Sequence, residues 1–436
     1  MKKLSGDIRL APSSSFAESV LFYGMMQGRN VTLGCEDALI VPDGAQDFAV
    51  KLGYRIDTSR NSISLLCNTE PGTNNHPIES RDGKDFFRKM LVLARAGFDV
   101  SLKLPVDTAN DFETEFLLFR RMGFECELIG ENDSRLRSLS MTPTRAIKYS
   151  LPKKNYHLIE PLIAGVMASG CSVELISPFE IDYSKWGAFP ALGIEIKPVV
   201  KNAEENELTR RINRLRSVSK KEFKYTVRRT GLPEEIGLLL PGDHLLGLFA
   251  AGLVCMRRNS SVRLLNLAST HGVTSAFRMI AKMGAEVSIK DVKADHATPL
   301  CEVIVTSDKL TGKRFGGDSV RACPEASCVV AALGMIAEGK TVVRDLPFGS
   351  SIWCKRVGYV REILNSCGAR VGEIEDGLVV EAGEDLMMMT YRDTGDELCE
   401  LLQQMLSLAL PHHSDYHPPS HFENSALFGL YNELTA

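Results

Sequence analysis

One local pattern recurs along this chain: an amphipathic helical run ends in glycine and leads directly into an alternating strand. Glycine adopts the left-handed conformation that often follows a helix, and the hydrophobic period then changes from about 3.6 to about 2. Nine glycines occupy this position: Gly28, Gly53, Gly97, Gly123, Gly170, Gly193, Gly284, Gly339 and Gly368. One such match is weak evidence, but nine predict a fold built from repeated strand–helix units.

The spacing of these glycines groups them into pairs. In the first half, the glycines of a pair lie 23 to 26 residues apart, and successive pairs begin 69 and 73 residues apart. The second half starts again near residue 240, where Asn259 stands 25 residues before Gly284. A last helical run, 396–410, begins a unit that we expect the strand pair of segment 1–11 to complete. Six units predict a repeat protein that closes on itself rather than an open solenoid.

Composition excludes several classes of protein. A length of 436 residues favours two or three domains, and the net charge of −4 argues against a general nucleic-acid binder. No apolar run suggests a signal peptide or a membrane helix. The eleven cysteines form no CxxC pair, which argues against zinc and thioredoxin-like sites. We therefore expect a cytoplasmic protein with reduced, buried thiols.

A basic segment interrupts the pattern between the halves. Residues 209–229 carry nine lysines and arginines, with Phe223 and Tyr225 among them. They could form a surface that contacts an anion or a nucleic acid. A solvated basic helix face, offset by the acidic residues 204–207, is the more ordinary interpretation and the one that we favour.

Several strings resemble the EPSP synthase (3-phosphoshikimate 1-carboxyvinyltransferase) family, whose fold the UDP-N-acetylglucosamine enolpyruvyl transferases share. They cover nearly the whole chain and are strongest from 240 to 370. They are IRLAPSSSFAESVLFYGMMQG, LLLPGDHLLGLFAAG, LLNLASTHGVTSAFRMIAKMGAEVSI, CEVIVTSDKLTGKRFGGDSV and PEASCVVAALGMIAEGKTVVRDL. The resemblance implies an α/β fold with two lobes and six repeated strand–helix units.

The resemblance and the spacing together predict the boundaries of the lobes. Residues 1–13 plus 242–436 form one lobe of three units, closed by the N-terminal strands. Residues 14–241 form the other lobe, with a hinge region at 197–241. Such lobes would close on a substrate that lies between them.

The chemistry that the resemblance implies joins the enolpyruvyl group of phosphoenolpyruvate to a substrate hydroxyl and releases phosphate. It needs cations around phosphate and carboxylate groups, and carboxylates that move protons. Glu325 falls at the family's catalytic aspartate and is the expected acid–base residue. The expected substrate-binding residues, for an anionic small molecule such as shikimate 3-phosphate and for phosphoenolpyruvate, are Ser13, Ser14, Ser15, Lys154, Asn155, Lys355 and Arg356. No cofactor or metal is implied.

This chain also departs from the family's motifs. The lysine and arginine of the first helix are missing, and Glu18 adds an acid. RDGKDFF at 81–87 replaces a glycine-containing loop, in which Lys84 and the following Arg88 supply positive charge. Lys154, Asn155 and Tyr156 replace a Ser-Ser-Gln motif. An Asp-His-Arg motif is missing, with Asp396 nearby but out of register.

Some residues have equally ordinary explanations. Glu325 often would be a helix N-terminal residue favoured by the helix dipole, and the serines at 13–15 could form a simple N-cap. The histidines of 411–421 could bind a metal or take part in acid–base chemistry, although we favour a surface loop.

Three functions are therefore consistent with the sequence. The first is enolpyruvyl transfer to an anionic cyclic hydroxy acid. The second is a changed reaction on a shikimate-like acid, such as elimination or isomerisation, without phosphoenolpyruvate. The third is a ligand-binding protein without catalytic activity.

Overall fold

The structure is a computed structural model that describes residues 3–35, 43–67, 78–79, 88–93, 101–103, 113–129, 135–141, 146–179, 181, 192–199, 222–231, 234–292, 299–388 and 390–435. Its helices are α1 (Ser14–Gln27), α2 (Asp43–Lys51), α3 (Glu113–Arg121), α4 (Ile159–Ser169), α5 (His244–Cys255), α6 (His271–Met283), α7 (Asp318–Ala322), α8 (Ala326–Gly334), α9 (Ser351–Ser366), α10 (Glu397–Ala409), α11 (Ser420–Glu423) and α12 (Ala426–Thr435). Residues 88–93 are also helical, and Lys153–Leu158 form a 3₁₀ helix.

The strands alternate with these helices. They are β1 (Ser5–Arg9), β2 (Asn30–Gly34), β3 (Arg55–Ser59), β4 (Ser62–Leu66), β5 (Ile78–Glu79), β6 (Ser101–Lys103), β7 (Phe124–Ile129), β8 (Arg135–Met141), β9 (Ala146–Ser150), β10 (Ser172–Ser177), β11 (Ile194–Pro198), β12 (Phe223–Arg229), β13 (Glu235–Leu239), β14 (Ser261–Ala268), β15 (Glu286–Val292), β16 (Leu300–Thr306), β17 (Arg314–Phe315), β18 (Lys340–Val343), β19 (Arg370–Ile374) and β20 (Gly377–Glu381).

The residues that follow the helices have the predicted left-handed conformation. Among the nine glycines, positive φ is found at Gly28, Gly53, Gly123, Gly170, Gly193, Gly284, Gly339 and Gly368. Gly97 lies outside the described residues. Asn259, predicted as the equivalent of the first glycine in the second half, has a φ of 60°. Asparagine tolerates this conformation better than most residues, so the substitution preserves the turn.

The described strands form five four-stranded sheets that share one pattern of pairing. In each sheet, one edge pair is parallel and the other two pairs are antiparallel. In the sheet β13-β2-β4-β3, for example, β13 runs parallel to β2. The count of six units stays a prediction, because the run 396–410 contributes α10 and no further sheet among the described residues.

The N-terminal strand lies elsewhere than predicted. β1 pairs in parallel with β14, from Ser5 opposite Ser261 to Arg9 opposite Leu265. It therefore joins the sheet that opens the second half rather than completing the unit of α10. The prediction of a strand pair is also wrong, since residues 3–11 contain one strand. Strand pairing across some 256 residues is not encoded in the local pattern on which the prediction rested.

Buried apolar side chains form two clusters. One extends from Ala17 to Leu240, and the other combines Leu4, Ile8 and Leu10 with residues from Leu246 to Leu434. Helix α5 lies inside the second cluster. Its sequence HLLGLFAAGLVC is almost entirely apolar, and ten of its residues are buried. The predicted division into 1–13 plus 242–436 and 14–241 stays a prediction.

Two chain segments that are distant in sequence pair in antiparallel fashion at Pro12 and Gly242. Ser13 N–H donates to Pro241 O at 3.0 Å, and Asp243 N–H donates to Ala11 O at 2.8 Å. The Asp243 carboxylate then accepts from the first backbone N–H groups of α5, at 2.8 and 3.1 Å, and so caps this helix.

The basic segment contributes a strand where we favoured a helix. Within 209–229, residues Phe223–Arg229 form β12, which pairs with β10 and β11. The Tyr225 side chain is buried, and its hydroxyl accepts from Ile181 N–H at 2.8 Å. Residues 209–221 lie outside the described residues. Alternation of Tyr225 and Val227 with charged residues suits a half-buried strand better than a solvated helix.

None of the helices in the described ranges combines the length and the apolar character that crossing a membrane requires.

Candidate functional site

Residues from the two apolar clusters meet around Asp345, in the loop after β18. The Tyr156 hydroxyl, on the 3₁₀ helix 153–158, donates to Asp345 O at 3.4 Å. Lys153 Nζ lies 3.5 Å from the Asp345 carboxylate. Sequence reasoning did not identify Lys153 or Asp345. An aspartate two residues after a half-buried strand was the signal that could have found the second.

The Asp345 carboxylate lies in a cationic environment that belongs to the chain itself. Gly317 N–H donates to Oδ2 at 2.8 Å, and the nearest Arg321 nitrogen is 3.8 Å from Oδ1. Burial alone would raise the pKa of Asp345, but the Gly317 N–H, Lys153 and Arg321 together lower it. Asp345 has a φ of 59°, which a residue other than glycine adopts at some energetic cost. This loop is therefore held by several groups at once.

Arg321, on α7, is another cation that contacts residues from both halves of the sequence. Its guanidinium lies 4.9 Å from the centre of the Phe179 ring, and it donates to the Asp318 carboxylate at 2.8 Å. Phe179 in turn contacts the Tyr156 ring edge to face, with the centroids 6.0 Å apart. Cation–π and aromatic contacts of this kind fix orientation as well as contributing energy.

Glu325, the predicted acid–base residue, lies at the N-cap position of α8 and is half-buried. Its side chain makes no capping hydrogen bond, but its position at the start of the helix is the one that the helix-dipole explanation requires. Cys323 Sγ donates to Glu325 Oε2 at 3.6 Å. Burial, and next the negative charge of Glu325, raise the pKa of the Tyr156 phenol well above its ordinary value. Tyr156 is therefore a neutral hydrogen-bond donor within electrostatic range of the Glu325 carboxylate.

Arg356, predicted to bind an anion, is already paired with an anion from the chain. Its Nε and Nη2 donate to the two carboxylate oxygens of Asp396, at 3.0 and 2.7 Å. The guanidinium also lies 4.6 Å from the centre of the Trp353 ring. Burial alone would lower the pKa of Arg356, but the hydrogen bonds to Asp396 raise it overall. Burial alone would raise the pKa of Asp396, but Arg356 lowers it overall. The pair is ionised and half-buried.

A second cation is neutralised near the first helix. The buried Arg88 guanidinium donates to Ser19 Oγ at 2.6 Å, to Glu160 at 3.2 Å and to Glu18 at 3.4 Å. Burial by itself lowers the pKa of Arg88, but the acidic neighbours raise it overall. From its sequence position, Arg88 was expected to supply positive charge. In the structure, that charge is already paired with acidic residues of the chain. Tyr23 is also buried here, and burial, followed by the negative charge of Glu160, raises the pKa of its phenol.

The other predicted binding residues are more scattered. Ser13 is the buried N-cap of α1, and its Oγ accepts from Phe16 N–H at 3.4 Å, as the N-cap explanation requires. Ser14 and Ser15 are exposed in the first turn, and Lys355 is exposed on α9. Lys154 and Asn155 lie on the 3₁₀ helix beside Tyr156, and the side chain of Lys154 is outside what the structure describes. Their roles stay predictions.

Three of the four histidines of 411–421 have separate partners. His412 Nε2 donates to Ser407 O at 2.6 Å, His421 Nε2 lies 2.9 Å from a Glu400 oxygen, and His413 Nδ1 lies 3.7 Å from an Asp415 oxygen. Within the described ranges, no group of three or more metal-binding side chains could hold an ion.

Comparison with known proteins identifies relatives of this chain. The family model described as EPSP synthase (3-phosphoshikimate 1-carboxyvinyltransferase) matches residues 242–395. A 3-phosphoshikimate 1-carboxyvinyltransferase of Streptococcus mutans is 24% identical over 426 residues, which cover 93% of this chain and 90% of the relative. One from Streptococcus thermophilus is 26% identical over 330 residues, covering 73% and 69%.

Solved structures have the same fold. EPSP synthase from Acinetobacter baumannii is similar with a TM-score of 0.69 and 13% identity, over 99% of this chain and 96% of that chain. The enolpyruvyl transferase NikO from Streptomyces tendae is similar with a TM-score of 0.65 and 16% identity, over 94% and 90%. The predicted α/β enolpyruvyl transferase fold is confirmed.

Proposed function

We propose that this chain is a divergent member of the EPSP synthase and enolpyruvyl transferase family and that it has an acid–base function. It binds a small, anionic cyclic hydroxy acid beside Glu325 and promotes an elimination or an isomerisation. It does not hold phosphoenolpyruvate through the cations that the family's motifs provide. The observation that carries this proposal is that the Glu325 carboxylate is near enough to Tyr156 for its negative charge, after burial, to raise the pKa of that phenol.

This pair of groups suits proton transfer. A carboxylate can take a proton from a carbon of the substrate and return it to another position, and such catalysis contributes about 10²- to 10⁴-fold. Tyr156 stays protonated at neutral pH, so its hydroxyl can donate a hydrogen bond to a substrate oxygen. The 3.4 Å bond from Tyr156 to Asp345 O is long and can be exchanged for one to a ligand. Exposed Ser14, Ser15 and Lys355 are the groups that we assign to the substrate's anion.

The pairing of Arg356 and Arg88 with carboxylates of the chain supports a reaction that does not use phosphoenolpyruvate. Phosphoenolpyruvate carries a phosphate and a carboxylate, and strong binding of both requires charge-assisted hydrogen bonds from cations. Arg356 is paired in bidentate fashion with Asp396, and Arg88 is surrounded by Glu18 and Glu160. An incoming anion would have to displace a carboxylate that is already in place.

A second candidate is the enolpyruvyl transfer itself, to an acceptor such as shikimate 3-phosphate. The similarity to the curated 3-phosphoshikimate 1-carboxyvinyltransferases favours it. In that reaction, Glu325 would exchange protons with the acceptor hydroxyl and the enolpyruvyl carbon, while phosphate leaves.

One experiment separates the candidates. The wild type is incubated in D₂O with shikimate, quinate or shikimate 3-phosphate, and proton NMR follows deuterium incorporation and new alkene signals. Phosphate release is measured in parallel with phosphoenolpyruvate added. We expect conversion of at least one acid without phosphoenolpyruvate, slowed about 100-fold or more in Glu325→Gln.

The matched control is Glu338→Gln, which changes an exposed glutamate paired with Lys309 on the same half of the sequence. It should leave the rate unchanged. Phosphate release that depends on the acceptor and on Glu325 would favour the second candidate instead. Conversion that is as fast in Glu325→Gln as in the wild type would refute the role of Glu325 in either reaction.

A further inference from the structure

The Arg356 guanidinium is presented in the geometry in which arginine binds a carboxylate. Its plane lies near the Trp353 ring, and Nε and Nη2 together face one partner. Two parallel N–H donors match the two oxygens of a carboxylate, which makes this fork a specific receptor for such groups. In this chain, the Asp396 side chain is the carboxylate that fills it.

Capping of α10 does not explain the negative charge of Asp396. The cap uses one hydrogen bond, from Cys399 N–H to Oδ1 at 3.0 Å. Asparagine and serine cap helices about as well as aspartate, without a charge. Both carboxylate oxygens are instead engaged by Arg356, whose side chain is 14% exposed, while that of Asp396 is 13% exposed. The charge of Asp396 is therefore matched to the guanidinium rather than to the helix.

The pair spans two helices that are distant in sequence. Arg356 lies in the second turn of α9, and Asp396 precedes α10 by one residue. Glu325 is also close enough for its charge to affect the pKa of Arg356. A carboxylate of the chain thus occupies a guanidinium that lies within electrostatic range of the proposed acid–base residue.

We infer that Asp396 determines specificity by occupying the carboxylate-binding face of Arg356. The substrate therefore presents a neutral hydrogen-bonding group, such as a hydroxyl, to the Arg356–Asp396 pair, and its anionic group binds elsewhere. This inference deepens the proposed function and rests on it for the location of the substrate. Replacing Asp396 by a neutral cap should leave the helix intact and expose the guanidinium to small anions.

The test is anion binding, which needs no turnover. The chain has two tryptophans, Trp186 and Trp353, so Trp186→Phe leaves the fluorescence of Trp353 as a reporter beside Arg356. In this background, formate and inorganic phosphate are titrated into the parent, Asp396→Asn and Asp393→Asn. We expect formate to bind Asp396→Asn at least about tenfold more tightly than the parent, because a charge-assisted bond to Arg356 becomes available.

Asp393→Asn is the matched control, since Asp393 is an exposed carboxylate three residues away whose Oδ1 accepts from Gly395 N–H. It should bind formate like the parent, and the gain should vanish in Asp396→Asn combined with Arg356→Gln. Asp396→Ser, with another good N-cap, replaces Asp396→Asn if circular dichroism shows that the latter is unfolded.

Equal formate affinity in the parent and in the folded Asp396 variants would overturn the inference. An equal gain in Asp393→Asn would also overturn it, because a general change of charge would then explain the result. Failure of the proposed function has a different signature: no acid is converted, or conversion does not depend on Glu325, whereas the fluorescence titration is unaffected.

Discussion

The buried ion cluster around Arg88 gives the sharpest test of the internal neutralisation of cations. We predict that Arg88→Met destabilises the protein strongly. The methionine fills much of the same space, so the main loss is the positive charge between Glu18 and Glu160. Both carboxylates then remain close together, and the Ser19 hydroxyl loses its 2.6 Å partner.

The magnitude follows from burial. The side chains of Arg88 and Glu18 are 7% and 11% exposed, so water screens their interaction weakly, whereas Glu160 is 31% exposed. Removing one partner from a buried ion pair costs about 3–5 kcal/mol. Because Glu160 retains some solvent, we expect a loss at the lower end, about 3 kcal/mol in the free energy of unfolding. Arg88→Met combined with Glu18→Leu should recover part of it.

The assay is urea unfolding followed by far-UV circular dichroism, with the free energy obtained by linear extrapolation. Arg60→Met, at an exposed turn position, is the control and should change the free energy by less than about 0.5 kcal/mol. A loss below about 1 kcal/mol in Arg88→Met would refute the idea that Arg88 is committed to Glu18 and Glu160.

Two further predictions concern the turn at Gly377 and the acid stability of the Arg356–Asp396 pair. A Cβ at Gly377 would lie 1.8 Å from Val343 O, so Gly377→Ala should lower the free energy of unfolding by about 1–3 kcal/mol. A Cβ at Gly372 meets nothing within 4 Å, so the control Gly372→Ala should cost no more than about 1 kcal/mol. Equal thermal unfolding midpoints in the two variants would contradict this prediction. Because Arg356 lowers the pKa of Asp396, ionised Asp396 stabilises the fold above the ordinary pKa of about 4, and this stability is lost as the pH falls through the lower folded-state value. The difference in urea midpoint between the wild type and Asp396→Asn should therefore be larger at neutral pH than in acid, and a constant difference would show that the charge of Asp396 is not coupled to folding.

Local features of the fold could be predicted from the sequence. A glycine that ends a helix has a steric reason to be glycine, and so the left-handed residues from Gly28 to Gly368 were identified without a structure. Asn259 was identified in the same way. Helix α10 was predicted at 396–410 and extends from Glu397 to Ala409, because its apolar residues follow the helical period.

Features that depend on distant pairs could not be predicted. The partner of β1 lies in β14, and nothing within residues 1–11 specifies that strand. Arg88 is 70 residues from Glu18 and 72 from Glu160, so a cation expected to face a ligand proved to face two acids. Asp396 is 40 residues from Arg356, and only the packing of α9 against α10 reveals the pair.

The residues of the candidate site therefore fall into two groups: the acid–base groups and the cations that the chain itself neutralises. The negative charge of Glu325 contributes to the raised pKa of Tyr156. From the sequence, Tyr156 was identified only as a replacement within a motif. Arg356 and Arg88 are cations whose charge the chain itself offsets. The type of a residue can be taken from the sequence, but whether its charge is available depends on the tertiary partners.

The most direct test of this account is calorimetric titration of the wild type with phosphoenolpyruvate, alone and with shikimate 3-phosphate present. We expect no saturable binding of phosphoenolpyruvate at millimolar concentration, because Asp396 already pairs with Arg356, and Glu18 and Glu160 already pair with Arg88. Saturable binding at micromolar concentration, lost in Arg356→Gln, would contradict it.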